Sequence, residues 1–301
     1  FKGVKMTVES IIKDITGKDV VALNSLTETW LQYYQGDVLK FHHYEEYNGN
    51  NNIKRRRKTL NMPKKICEDW ANLLLNEEEF VEKILLNSKS KLQMMQYEKE
   101  LFIPNKQEEL WKMLNKKKVK FWTKGNKGVE KTFALGTGAF VESVDDKGEV
   151  RLQFVNAQKI YPITIDQDDV TECAFVNVNS KNTIIQIHLL NDNGDYVIRT
   201  LVYHKEQNNT ENDIGNLISN DLFPTRSPLA WFQIFKPNIA NNIDLNSPMG
   251  ISIYANALDV LQGVDLAYDG FCEEMRLGRS RIFVNKNLIR YDEKGQTKTF
   301  D

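Results

Sequence analysis

Residues 247–277, SPMGISIYANALDVLQGVDLAYDGFCEEMRL, carry the reading on which the rest of the chain turns. Ser247 is a helix-capping residue type and Pro248 suits the first helical position, where its missing N–H costs nothing. No proline follows before the end of the sequence. Tyr254, Ala257, Leu261, Val264, Tyr268, Phe271 and Met275 recur at alternating spacings of three and four, a heptad seam. The pattern predicts one helix from Ser247 to about Leu277, on the order of 30 residues or roughly 45 Å at 1.5 Å per residue.

Its polar positions are acidic. Asp265, Asp269 and Glu273 step by four and so share a face, with Asp259 and Glu274 nearby, and no Lys or Arg lies between residues 237 and 275. One reading is an ordinary solvated helix face. The other is a wall that repels phosphate and lets a nucleic acid slide past. Arg276, Arg279 and Arg281 suit the negative end of the helix dipole, and Gly278 suits a C-cap. Residues 281–300 then read as short strands with turns.

Upstream, the first third has helical periodicity. Val8, Ile11, Ile12 and Ile15 define a helix over residues 5–16 that stops near Gly17, and a second is expected over 19–35, ending at Gly36. Residues 48–58, NGNNNIKRRRK, predict an exposed loop containing the basic run Lys54, Arg55, Arg56, Arg57 and Lys58. Pro63 opens a third helix with Ile66, Trp70, Leu73 and Leu74 on its apolar face, and residues 77–86 and those after Asn105 read as further helices.

Near residue 136 the period changes from helix to strand. GTGAFVESV and EVRLQFV flank the turn Asp145–Gly148 as a hairpin, and AQKIYPITI adds an extended segment that Pro162 assigns to an edge. AFVNVN, TIIQIHLL and YVIRTLVYH are three more strands, with both faces of residues 183–190 apolar enough to be partly buried. Residues 205–228 predict a loop with a short helix, and LAWFQIFKP a final strand. Helices to about residue 122, then an antiparallel sheet over about 136–236, make the fold class α+β.

Composition excludes several function classes. Charge is balanced, 40 basic against 41 acidic residues, so the chain is not a nucleic-acid binder by general basicity. Cys67, Cys173 and Cys272 share no metal-ligand spacing with one another or with His42, His43, His188 and His204; three unpaired thiols suit a reducing compartment. No apolar run reaches the length of a membrane span, and FKGVKMTVES lacks a signal-peptide core. The expectation is a soluble intracellular protein without metal or cofactor.

The motifs of catalysis are missing: no phosphate loop, no H-E-x-x-H and no G-x-S-x-G. His42 and His43 follow an aromatic-rich helix and read as packing residues. Asp166, Asp168, Asp169 and Glu172 form an acidic turn without EF-hand spacing, read as solvated rather than cation-binding. Trp30, Trp70, Trp111, Trp122 and Trp231 fall on apolar faces or strand starts, and core packing explains most of them. No catalytic residues are assigned.

The sequence does resemble one family. SPMGISIYANALDVLQGVDLAYDGFCEEMRLGRSRIFV resembles the stem helix and clip entry of portal proteins from long-tailed phages of Gram-positive bacteria. WLQYYQGD, NMPKKICEDWANLLLNE, ALGTGAFVESVDDKGEVRLQFVNAQKIYPI and FQIFKPNIANNIDLNSPMGIS are similar, in order, to elements that precede that helix in the family. The resemblance implies a wing over residues 1–246, a stem helix over 247–278 and the start of a clip over 279–301. The family's returning stem helix, tunnel loop and crown have no counterpart up to Asp301. It further implies a ring, typically of twelve copies, at one capsid vertex of the virion, assembled in the host cytoplasm. Double-stranded DNA would be packaged and ejected through it. The implied protein partners are the terminase large subunit, a head-completion protein, scaffold and major capsid protein. On this reading Asp265, Asp269 and Glu273 line the channel. The competing expectation is a monomeric nucleic-acid-binding module that uses residues 54–58.

Overall fold

The computed structural model describes residues 7–20, 26–47, 49, 51–75, 121–144, 150–167, 169–205, 214–245 and 247–278. The helices expected over 77–86 and after Asn105, the turn at 145–148 and the strands expected beyond Gly278 lie outside them.

Two compact units share the described chain. One contains the residues up to Val38 and Asn61–Leu258; the other contains Leu39–Leu60 and the chain from Asp259 onward.

The first unit is built on two antiparallel sheets. Helix α1 (Val8–Thr16) has Thr7 and Ser10 in a reciprocal capping box and ends at Gly17 in the left-handed conformation. Helix α2 (Thr27–Gln35) ends at Gly36, also left-handed. A five-stranded sheet runs β5 (Ile160–Asp166), β6 (Asp169–Val178), β7 (Asn182–Leu190), β8 (Tyr196–Lys205) and β9 (Ile214–Pro224), each strand paired with the next. Pro162 does sit on an edge strand, where a ladder bulges between Pro162 and Thr164. Strand β9 occupies residues 214–224 of the stretch expected to be a loop with a short helix over 205–228; its apolar residues fall in adjacent pairs, Leu217 with Ile218 and Leu222 with Phe223, and so offer no alternation to read.

Alternation within the sheet produces two cores. Ala174 and Val176 of β6 point to the side where Ile185, Ile187, Leu201 and Tyr203 meet Ile11 and Ile12 of α1. Cys173 and Phe175 point to the other side, toward Ile160, Tyr196, Phe232 and Met249. The second side faces a three-stranded sheet in the order β10 (Phe232–Phe235), β3 (Gly138–Val144), β4 (Val150–Asn156). Burial on both faces of β7 thus follows from one helix on one side and a second sheet on the other.

Helix α4 (Met62–Leu74), with Pro63 in its first turn, and helix α5 (Phe121–Leu135) complete this unit. Trp30 is fully buried, whereas Trp70 is half exposed, so core packing does not explain Trp70. It meets Phe133 with ring centroids 6.3 Å apart.

Helix α5 ends at Gly136, whose φ of +80° carries the chain into β3. A Cβ there would fall 2.4 Å from the carbonyl carbon of Ile251, and one on Gly250 would fall 2.4 Å from the Gly136 oxygen. The two backbones touch because neither residue has a side chain. Residues 250–254 are thereby bound into the first unit: Gly250 N–H donates to Thr137 Oγ1, Ile253 N–H to the Phe133 carbonyl, and the Tyr254 hydroxyl to the Trp30 carbonyl.

That anchoring corrects the expected long helix. Residues 247–254 are irregular, Ala255–Ala257 form a 3-10 turn, and α6 spans Leu258–Leu277, 20 residues. Pro248 and Ser247 do not open it. The segment's backbone groups are satisfied by α5 and the 137 turn instead of by an additional helical turn.

Candidate functional site

The second unit holds the residues that the sequence singled out. Helix α3 (Leu39–His42) leads into the hairpin β1 (His43–Tyr47) and β2 (Asn52–Arg56). The register pairs Tyr44 with Arg55 and Glu45 with Lys54. Residues 52–56 of the expected loop 48–58 are therefore a strand, held by the ladder and by charge. Arg55 pairs with Glu46. Arg57 donates to the Phe41 carbonyl and stacks over Phe41 and Tyr44, 5.0 and 4.4 Å from their ring centroids. The basic run is not one uniform flexible charge patch.

The acidic stripe is also divided. Asp265 is 7% exposed. Its carboxylate accepts from Thr59 Oγ1 at 2.9 and 3.0 Å and from the Leu60 N–H at 3.0 Å, and His42 Nε2 lies 3.2 Å away. Asp269, one turn later, accepts from the Lys58 N–H at 3.1 Å. The two aspartates therefore clamp the segment that follows the hairpin, residues 58–60, to α6. Glu273 pairs with Arg276 at 2.5 Å. The expectation that Asp265 sits on a solvated, phosphate-repelling face is corrected: it is a buried structural acceptor. No Lys or Arg lies between residues 237 and 275 to pair with it, yet backbone N–H and hydroxyl donors serve as well.

The heptad seam separates in the same way. Tyr254 and Ala257 precede the helix, Leu261 is buried, and Val264 and Tyr268 are half-buried. Phe271 and Met275 are exposed by 56% and 64%. With Val260, 66% exposed, and with Val264 and Ala267, they form a second apolar row at spacings of four, three, four and four. Among the described residues this helix face is left largely uncovered. A third face carries Asp259, Gly263, Gly270 and Glu274, all exposed, and a Cβ on either glycine would meet nothing within 4 Å.

The acidic turn in the first unit binds internally. Glu172 is buried; Lys18 Nζ reaches it at 2.5 Å, Thr164 donates to it, and the Leu190 N–H donates at 3.1 Å. Burial pushes this carboxyl up, but the donors outweigh it and hold it below the usual carboxylate range. Asp166 and Asp169 are exposed, and Asp168 lies outside the described residues. Among the described residues no group of three or more His, Cys, Asp and Glu could hold a metal ion, and no helix is long and apolar enough to cross a membrane. Cys67 and Cys173 are buried, and burial pushes both thiols up, Cys67 to about 12.

What the sequence missed is the clamp. The signal was present as His42 and Thr59 flanking a hairpin, but their partners lie more than 200 residues away in the chain.

A family model described as phage portal protein, SPP1 Gp6-like, matches residues 25–299. No curated protein matches the chain.

Proposed function

Because the chain belongs to the SPP1 Gp6-like family of phage portal proteins, we propose that it is one subunit of a closed ring at a capsid vertex through which double-stranded DNA is packaged and ejected. Proteins of this family are structural, non-enzymatic components of the phage capsid vertex. The observation that carries the ring itself is the uncovered apolar row of α6, Val260, Val264, Ala267, Phe271 and Met275. Its exposed members are too large and too contiguous to be an ordinary solvated helix face.

In this reading the two-sheet unit is the wing and α6 is the stem helix, with its apolar row against a neighbouring copy. A heterologous contact of that kind closes into a ring when its rotation divides the circle. Twelve copies follow from the family resemblance. The conduit wall is formed by the acids that keep access to solvent, Asp259, Asp269, Glu273 and Glu274, and Asp265 is left out of it. A wall of that sign repels phosphate and lowers friction on moving DNA. The ring is also the platform for the terminase large subunit, the head-completion protein, scaffold and major capsid protein. ATP hydrolysis belongs to the terminase.

Negative-stain imaging of the purified protein tests this reading. Closed rings with a central opening are expected, and single subunits under every condition would exclude it. In a packaging reaction, Glu273→Lys with Glu274→Lys is expected to slow DNA entry while rings still form.

A further inference from the structure

A cavity of about 210 Å³ opens in the first unit where strand β4, helix α5 and the outer sheet meet. Its polar lining is Lys131 from α5, Gln153 and Asn156 from β4, Lys159 from the 3-10 turn after it, Asn177 from β6 and Gln186 from β7. No acidic residue is among the lining, and its aromatic walls are Phe154 and Phe175. Strand β4 is an edge of its sheet, paired only with β3, so this side of it is open.

Charge in the cavity has one sign. Among the described residues, neither Lys131 nor Lys159 forms an ion pair, whereas Lys13, Lys18, Lys64 and Lys65 each do. The nearest acid on α5, Glu130, is taken by Lys64 at 2.6 Å and by the Tyr34 hydroxyl at 2.5 Å. The Lys131 ammonium is held below its usual value by burial first, and then by the neighbouring positive charges of Lys127 and Lys159. A folded chain keeps like charges together in a recess at a cost in stability, and an anion between them removes that cost.

We infer that this cavity binds a phosphate-class oxyanion, with Lys131 and Lys159 supplying charge and the side-chain amides of Gln153, Asn156, Asn177 and Gln186 supplying N–H donors. Four amides and two ammonium groups provide several donors for a tetrahedral anion, and their carbonyl oxygens can turn away. The volume holds a phosphate group together with bound waters. The site is distinct from α6 and its acids, and it stands whether or not the ring reading holds. The phosphate is either free inorganic phosphate or a group on a DNA backbone that reaches the wing.

The test is thermal unfolding of the purified protein in a phosphate-free buffer, with inorganic phosphate added at constant ionic strength against a chloride control. A Tm rise of about 3 °C in 20 mM phosphate is expected, by mass action on the folded state. Lys131→Gln/Lys159→Gln is expected to abolish the rise. Without phosphate the variant's Tm should equal or exceed that of the wild type, since the repulsion has been removed. Broadening of the 31P resonance of phosphate by the wild type, and not by the variant, gives a second readout. An equal rise in the variant, an equal rise with chloride, or no broadening by the wild type would overturn the proposal. A 20-base-pair duplex distinguishes the sources: displacement of phosphate by the duplex assigns a DNA phosphate, and phosphate binding unaffected by it assigns the free anion.

Discussion

His42 Nε2 lies 3.2 Å from Asp265 Oδ2, and both side chains are buried although 223 positions separate them in the chain. The same carboxylate takes the Thr59 hydroxyl and the Leu60 N–H. One acid thus closes the excursion of residues 39–60 onto α6. A buried carboxylate is retained only when it is nearly saturated with donors, and this one is.

Asp265→Ala should therefore be costly. It leaves an imidazole, a hydroxyl and a backbone N–H without their acceptor, and a loss of about 3 kcal/mol is expected. Asp269→Ala removes one partly exposed acceptor and should cost about 1 kcal/mol or less. Denaturant unfolding of the two variants checks the order; equal effects would mean that Asp265 is not the centre of the clamp.

His188 gives the first unit a pH dependence. Both ring nitrogens are buried without a hydrogen-bond partner among the described residues, between the rings of Phe175 and Phe232 at 5.4 and 5.3 Å. Burial pushes its pKa down to about 4. The unfolded chain takes a proton near the ordinary histidine value and the folded chain does not, so stability falls as pH drops from above 6.5 toward 4. Between pH 7.5 and 5 the loss from this group is about 2 kcal/mol. Glu172 acts lower: its depressed carboxyl contributes stability above the unfolded value that is lost as pH falls through the folded one. Urea unfolding at the two pH values should show that His188→Leu removes the higher-pH part of the acid loss. A variant with the wild-type slope would assign that loss to another group.

Gly136→Ala tests how the chain enters α6. The substitution meets both a positive φ and a backbone 2.4 Å away, so it should destabilise the protein by more than about 3 kcal/mol. Gly263→Ala, in open space on a helix, should instead stabilise the isolated subunit by up to about 1 kcal/mol. Thermal unfolding of both separates the two situations, and comparable Tm values would contradict the close approach.

Much of the fold was legible in sequence because it rests on local periodicity. The α1 helix stopping at Gly17, the hairpin around residues 145–148 and the strands through Lys205 all follow from apolar spacing and turn residues. Where partners lie far away, the reading failed. Ser247 and Pro248 have the chemistry of a helix start, yet α5 and Thr137 take up the backbone that follows them. Asp265 and Asp269 have the spacing of a solvated stripe, yet main-chain donors 205 and 211 positions away turn them inward. Polar β2 and β9, whose apolar residues fall in adjacent pairs, carry no alternation, so only pairing with a neighbour specifies them. The cavity lined by Lys131 and Lys159 likewise draws its residues from five elements and has no motif.

The central claim is that α6 presents its apolar row to another copy of the same chain. Particle masses of the purified protein, measured by mass photometry across submicromolar to micromolar concentration, address it directly. The account predicts a closed oligomer of a single size for the wild type, and its collapse to subunits in Val260→Ser/Phe271→Ser/Met275→Ser, with the subunit still folded by circular dichroism. A wild type that stays monomeric throughout, or a triple variant that assembles like the wild type, would contradict it.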